Sequence, residues 1–277
     1  MTKEFDVIAE RLSSQTFLER VRALEGLSRP LNDTLRDSLG EARHFLRSLP
    51  VEGMSGKRVL EVGAGLGFVS AYLEKKGVLV EAVEPAIGGY VDHQRLLPVV
   101  LQILGAKFVL HRCAVHELSP SKDGRYDLVI SHNVLEHMTD LERSFQVMSR
   151  LLAPRGRMIH SCPNYFIPYD PHYGVWLSPF FPAVTPLFSK KIRQAPAVWR
   201  SLNFITARKM RRLAARRGYS VRFEKGLMHE ALVRTETDPA FAVRQKGWPR
   251  TFHRWLRNCG LLWAVRSLPA TWSTPMK

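Results

Sequence analysis

An apolar strand that runs directly into three alternating glycines constrains this chain more than any other feature. Val59-Leu60-Glu61-Val62 leads into Gly63-Ala64-Gly65-Leu66-Gly67, and a helical pattern begins at Phe68. Glycines at such a junction let the backbone turn tightly and let a ligand lie against main chain that no Cβ shields. The element reads as a strand–turn–helix that carries a nucleotide-like ligand. A plain tight turn is the competing reading.

From Arg58 the chain alternates between two periodicities. Short β-rich runs cover Arg58–Val62, Val78–Val83, Lys107–Leu110, Tyr126–Ser131 and Arg157–Cys162, with helical patterns over Phe68–Lys76, Gly89–Leu104 and Asp140–Leu152 between them. Strands alternating with helices imply right-handed crossovers and an α/β, doubly wound, mostly parallel sheet. Residues 1–54 read as an N-terminal helical cap, with Phe17, Val21 and Leu24 at helical spacing and a second helix around Leu35–Leu49. The core domain is drawn at 55–225, with a Pro- and aromatic-rich insertion at 163–203. A helix over Thr206–Arg217 and a strand over Tyr219–Phe223 follow that insertion. Residues 226–277 form a basic, Trp-rich extension, in which Trp272–Lys277 is too short to make a convincing final strand.

Glu84 ends the second strand, 21 residues after Gly63. A carboxylate there is placed to accept hydrogen bonds from both ribose hydroxyls of an adenosine, although a surface carboxylate after a strand is also common. The glycines at 63, 65 and 67 give GxGxG, since position 68 is Phe. A dinucleotide needs its third glycine one residue later, to bring a helix N-terminus onto the pyrophosphate.

Taken in order, EVGAGLG, Glu84, YDLVISHNVLEHM and GRMIHSCPN resemble the successive motifs of class I S-adenosylmethionine-dependent methyltransferases. The small-molecule branch that includes quinone-biosynthesis O-methyltransferases is the nearest in pattern. The resemblance covers about residues 55–165 and implies a Rossmann-like sheet with S-adenosylmethionine as cofactor. It also implies that Glu61, Gly63, Ala64, Gly65 and Gly67 surround the methionine moiety. Ser131, His132 and Asn133, at the carboxyl end of the fourth strand, would line the floor beneath the sulfonium. Where the family offers adenine an acidic residue, this chain has Arg112-Cys113-Ala114. Adenine is then expected on backbone groups around Cys113 and Ala114, or on His116. Leu135-Glu136-His137 either begins a helix or touches ligand.

If the acceptor is a hydroxyl, a base is needed. His172, two residues after Asp170 in the insertion, is the first candidate, with His132 and then His160 as rivals; packing aromatics in a Pro-stiffened loop are the alternative reading. No His, Cys or carboxylate group shows metal-ligand spacing, so no metal is expected.

The net charge of +16 is unevenly distributed: residues 190–277 hold 20 Lys and Arg against 4 Asp and Glu, and residues 1–189 hold 21 of each. A basic tail bears on partners rather than on fold. Phe252, Trp255, Leu256, Cys259, Leu262 and Trp263 recur at helical spacing, with His253, Arg254 and Arg257 opposite. This pattern fits either peripheral contact of residues 250–266 with an anionic membrane or a core-packing helix. The expected partner is a small-molecule or lipid-linked acceptor. RNA gripped by phosphate is the alternative, and a non-catalytic binding scaffold is a third reading. Scattered cysteines and the absence of a signal-like or spanning apolar segment predict a cytoplasmic protein, peripheral to a membrane at most.

Overall fold

The computed structural model describes residues 7–275 except 9, 23, 25–26, 28–29, 86–89, 120–123, 179–180, 239–240, 243–247 and 268. The chain divides into two compact units, residues 1–132 with 143–159, and residues 133–142 with 160–277. The limits drawn at 54 and 225 are not the limits of these units.

The first unit contains helices α1 (Gln15–Arg22) and α2 (Leu31–Ser48), then β1 (Arg58–Val62), α3 (Phe68–Lys75), β2 (Leu79–Val83), α4 (Val91–Leu104), β3 (Val109–His111), β4 (Tyr126–His132) and most of α5 (Leu141–Leu151) and of β5 (Leu152–Ser161). The strands lie in the order β3-β2-β1-β4-β5. Strand β1 runs parallel to β2, with Val59 opposite Val80, and to β4, with Val59 opposite Leu128; β2 and β3 are parallel too. The central strands are almost wholly buried, which is why they read as continuous apolar runs. Gly89, where the sequence reading starts the helix before β3, lies outside the described residues.

Phe17, Phe45, Leu46, Val59, Leu73, Leu96, Val100 and Ile130 belong to one core. The N-terminal helices therefore share the core of the sheet and are not a detached cap. Because β2 and β4 flank β1 on opposite sides, the sheet has a switch point, and the carboxyl ends of β1 and β4 form the crevice where open α/β sheets hold ligands.

The second unit opens with a tight turn at Leu135–His137. The expected loop is an ordered hairpin, β6 (Tyr169–Asp170) with β7 (Val175–Trp176), followed by short helices α6 (Thr185–Phe188), α7 (Lys190–Gln194) and α8 (Pro196–Ser201). Helix α9 (Ala207–Ala215) is capped by Thr206, whose hydroxyl accepts the Lys209 N–H at 3.2 Å, and buries Met210, Leu213 and Ala214 as its stripe predicts. Then come β8 (Arg222–Lys225), α10 (Leu227–Thr237), α11 (Trp248–Asn258), α12 (Leu262–Ser267) and β9 (Pro269–Pro275). Strand β9 runs antiparallel to β8, with Trp272 opposite Phe223, and begins three residues before the segment considered too short. No helix among the described residues is long and apolar enough to cross a membrane.

Candidate active site

The turn after β1 is held from β2. The Gly63 and Ala64 N–H groups donate to the Val83 carbonyl at 2.8 and 3.1 Å, and the Gly65 N–H donates to Glu84 Oε2 at 2.6 Å. The acidic residue and the glycine turn thus form one linked element. Gly65 has φ +56°, and a Cβ there would lie 3.6 Å from His93 Nδ1, an ordinary contact. Backbone conformation, not lack of space, demands glycine at 65. Gly67 differs: at φ +76° its Cβ would meet Leu101 at 2.7 Å and Leu97 at 3.2 Å, so this glycine serves the packing of α4.

Glu61 is buried and accepts a short hydrogen bond from the Ser70 hydroxyl. Burial pushes its carboxyl up to about 8, against the Ser70 hydrogen bonds, and the charge of Glu84 adds to the rise. Such a group ionises readily once a cation lies beside it. In the folded chain Glu61 keeps its proton to about pH 8, whereas the unfolded value is 4.5. The folded state therefore binds more protons over that window, and this contribution to stability falls as pH rises through it. His160 acts in the opposite sense: burial lowers it from 6.5 to about 4, so stability is lost as pH falls between those values. The melting temperature of the ligand-free protein is expected to decline from pH 6.5 to 8, and Glu61→Gln to flatten that decline. An equal slope in thermal melts of Glu61→Gln would assign it to other groups.

Other expected ligand contacts fare differently. The Ala114 N–H donates to Glu117 Oε2 at 2.6 Å, so the backbone group expected to receive adenine is already bonded. Cys113 is part-buried nearby in sequence, and Ser131 is fully buried in β4. His132 Nε2 lies 3.1 Å from Glu41 Oε2 of α2, and its ring stacks on Phe45 with centroids 4.9 Å apart. Asn133 adopts φ +53°, a left-handed conformation that Asn tolerates better than most residues. Its N–H donates to the Ser161 carbonyl at 2.7 Å.

The second unit assembles a polar cluster that sequence spacing does not reveal. His172 occupies the β6–β7 connection, with Nδ1 3.2 Å from Asp170 Oδ2, as the sequence reading anticipates. Asp170 is fully buried and also accepts the Tyr165 hydroxyl at 2.9 Å and the Tyr173 N–H at 2.8 Å. Burial alone would raise its carboxyl, but the contacts with His172, Tyr173 and Tyr165 outweigh it and hold the group below the usual range. Lys191 of α7 secures the hairpin by donating to the Tyr173 carbonyl at 2.6 Å. Glu136 and His137, which the sequence left undecided, join His172 here. His137 Nε2 lies 3.3 Å from His172 Nε2, and Glu136 Oε1 lies 3.8 Å from the same atom. Burial raises Glu136 to about 7 and lowers His137 to about 3. Asn203, unremarked in the sequence, fixes the turn: its side-chain amide donates to the Leu135 and Met138 carbonyls at 2.7 and 3.0 Å, and its N–H to the Glu136 carbonyl at 2.8 Å.

Residues 34–222 match a family described as a methyltransferase domain. The chain belongs to the S-adenosylmethionine-dependent methyltransferases. An uncharacterized protein of Mycobacterium tuberculosis (strain ATCC 25618 / H37Rv) is 29% identical to this methyltransferase over 247 residues, 84% of this chain and 82% of that protein. A ubiquinone biosynthesis O-methyltransferase of Alkalilimnicola ehrlichii is 27% identical over 112 residues, 40% of this chain and 44% of its own length. Among solved structures, Haemonchus contortus phosphoethanolamine N-methyltransferase 2, in complex with phosphomonomethylethanolamine and S-adenosylhomocysteine, superposes with a TM-score of 0.54 at 16% identity. That superposition covers 86% of this chain and 52% of the other, so this methyltransferase spans about half of that enzyme and shares its fold.

Proposed function

We propose that this methyltransferase transfers the methyl group of S-adenosylmethionine to an oxygen atom of a small-molecule or lipid-linked acceptor. The observation that carries the choice of oxygen is the His172 imidazole held by the buried Asp170, a pair built to take a proton. Similarity to ubiquinone biosynthesis O-methyltransferases supports the same class of acceptor.

The cofactor supplies a methyl carbon made electrophilic by the adjoining sulfonium. The chain must hold the acceptor in line, exclude water and remove its proton. In this reading the turn from Gly63 through Ala64 and Gly65 carries the methionine moiety, and Gly67 seats the turn against α4. Buried Glu61 meets a cationic group, and Glu84 meets the ribose hydroxyls. Ser131, His132 and Asn133 stand at the end of β4. Engagement of His132 by Glu41 and Phe45 argues for a positioning role there and leaves His172 as the base. Exposed Trp255 and Trp263 in the basic extension support a lipid-linked acceptor.

The test is incubation of the purified protein with methyl-labelled S-adenosylmethionine and separated small-molecule, lipid and RNA fractions of cells. Label is expected in the small-molecule or lipid fraction as a base-stable methyl ether. Glu84→Ala should greatly reduce incorporation at limiting cofactor, since charge-assisted hydrogen bonds are worth about 1.5–3 kcal/mol each. Label confined to RNA would replace this reading.

A further inference from the structure

The partners of the two imidazoles in the second unit fix their tautomers. His172 Nδ1 faces the Asp170 carboxylate, which when ionised only accepts, so Nδ1 carries a proton, and Nε2 is a lone pair in the neutral ring or a second N–H in the imidazolium. Ser201 donates its hydroxyl proton to the Val198 carbonyl at 2.7 Å. Its oxygen therefore accepts from His137 Nδ1 at 2.8 Å, and His137 Nε2 is a lone pair in the neutral ring. These two Nε2 atoms face each other at 3.3 Å. Glu136 Oε1 lies 3.8 Å from one and 4.0 Å from the other. Glu136 is fully buried, and neither of its oxygens accepts a hydrogen bond among the described residues. Two Nε2 atoms and a buried carboxyl without a hydrogen bond, in such close mutual approach, call for either a shared proton or a bound cation between them.

We propose that Glu136, His137 and His172 bind a divalent transition-metal ion of the zinc type through Oε1 and the two Nε2 atoms. Zinc–nitrogen bonds of about 2.0–2.1 Å in a tetrahedral site put two nitrogens roughly 3.3 Å apart, which is the spacing found between His137 and His172. The carboxylate oxygen closes by roughly half an ångström to join them. All three donor atoms already lie within 4.8 Å of one another. Asp170 and Ser201 take the part of the outer partners that set ring orientation in metal sites. A donor set of two nitrogens and one oxygen favours zinc, cobalt or iron over magnesium and calcium, which prefer oxygen. Three protein ligands leave a coordination position open, the arrangement of catalytic rather than structural sites. The sequence conceals this set because His172 is 35 residues beyond His137 and only the hairpin brings them together.

The inference does not rest on the acceptor reading. An ion on His172 Nε2 would replace direct proton transfer to that nitrogen: an acceptor hydroxyl at the open coordination position would lose its proton more readily, so the choice of oxygen stands with either, and the proposed cofactor contacts at β1 and β2 are untouched. The test titrates the chelator-treated full chain with Co²⁺, followed by visible absorption, with Zn²⁺ in competition. One Co²⁺ per chain is expected, showing the d–d bands of a four- or five-coordinate ion and displaced by Zn²⁺. His137→Asn and His172→Asn should each weaken Co²⁺ binding by well over ~10-fold, and Asp170→Asn by about 10–100-fold. S-adenosylmethionine binding, measured on the same preparations, should stay at the wild-type level, which separates loss of the metal from failure of the methyltransferase reading. Either His variant that folds suffices to locate the ion. A wild-type chain that gives no d–d bands overturns the proposal and leaves a shared proton among the three groups. Undiminished Co²⁺ affinity in a folded His variant overturns it equally.

Discussion

Gly65→Val is expected to abolish S-adenosylmethionine binding while leaving the protein folded. A β-branched residue at φ +56° is strained, so the turn must move. Moving it breaks the 2.6 Å bond from the Gly65 N–H to Glu84, the joint between the two elements assigned to the cofactor. The first atom of the new side chain meets His93 at an ordinary 3.6 Å, which confines the damage to the turn. Calorimetry should show a loss of at least ~100-fold, about 2.7 kcal/mol, with a modest change in melting temperature. Gly67→Val should behave differently: its Cβ collides with Leu101 and Leu97 of α4, so melting temperature should fall sharply with or without cofactor. Should Gly65→Val bind like the wild type, the glycine turn is not the cofactor cradle.

The contrast between these glycines shows what the sequence could convey. Three glycines after a strand announce the turn, but which of them leaves room for a side chain depends on α4, whose contribution no local pattern encodes. The strand Arg58–Val62 was legible to the residue, because burial on both faces leaves an unbroken apolar run. Strand β5 was not: it begins at Leu152, directly after α5, and carries Pro154 and Gly156, residues that read as breakers. The place of Glu84 beside the glycine turn was legible because it ends the neighbouring strand at a fixed offset from the glycines, and it accepts the Gly65 N–H. Glu136 and His137 were not, because their meaning comes from His172, Asp170 and Asn203, assembled by a hairpin and helices whose composition suggests only a stiff loop. In the basic tail, the stripe divides between buried and exposed positions. Leu256 is buried with Leu232 and Val265, and Leu262 packs against them. His253, expected on the outer side, is buried with Nδ1 3.0 Å from Glu236. Phe252, Trp255 and Trp263 remain exposed.

That division sharpens the expected behaviour at a lipid surface. If residues 250–266 are interfacial, the protein should sediment with anionic liposomes at low salt and much less with neutral ones. The apolar contact then comes from Trp255 and Trp263, 53% and 67% exposed, and from Phe252, stacked on Trp255 with centroids 6.0 Å apart. Leu256 and Leu262 are engaged inside and contribute little. The charge comes from Arg254 and Arg257 on the exposed side of α11; the side chains of Arg250 and Arg266 lie outside those described. Each well-placed cation is worth about 1 kcal/mol near an anionic leaflet. Salt should release the protein only partly, because screening weakens the attraction while aromatic burial persists. Arg254/Arg257→Glu should lose the anionic preference, and Trp255/Trp263→Ala should turn the residual binding fully salt-sensitive. Both variants should still bind S-adenosylmethionine, whose proposed contacts lie almost wholly in the first unit. Phe181, Leu187 and Phe188 of the insertion, 70%, 71% and 83% exposed and close in sequence to Lys190 and Lys191, supply a control. If binding survives in the Trp255/Trp263 variant and is lost in Leu187/Phe188→Ser, the insertion is the lipid-facing element. Strong RNA retention with a steep logarithmic salt slope and no liposome binding would replace lipid with nucleic acid. Equal partition to neutral and anionic liposomes would remove the electrostatic part of the idea, and no partition to either would end it.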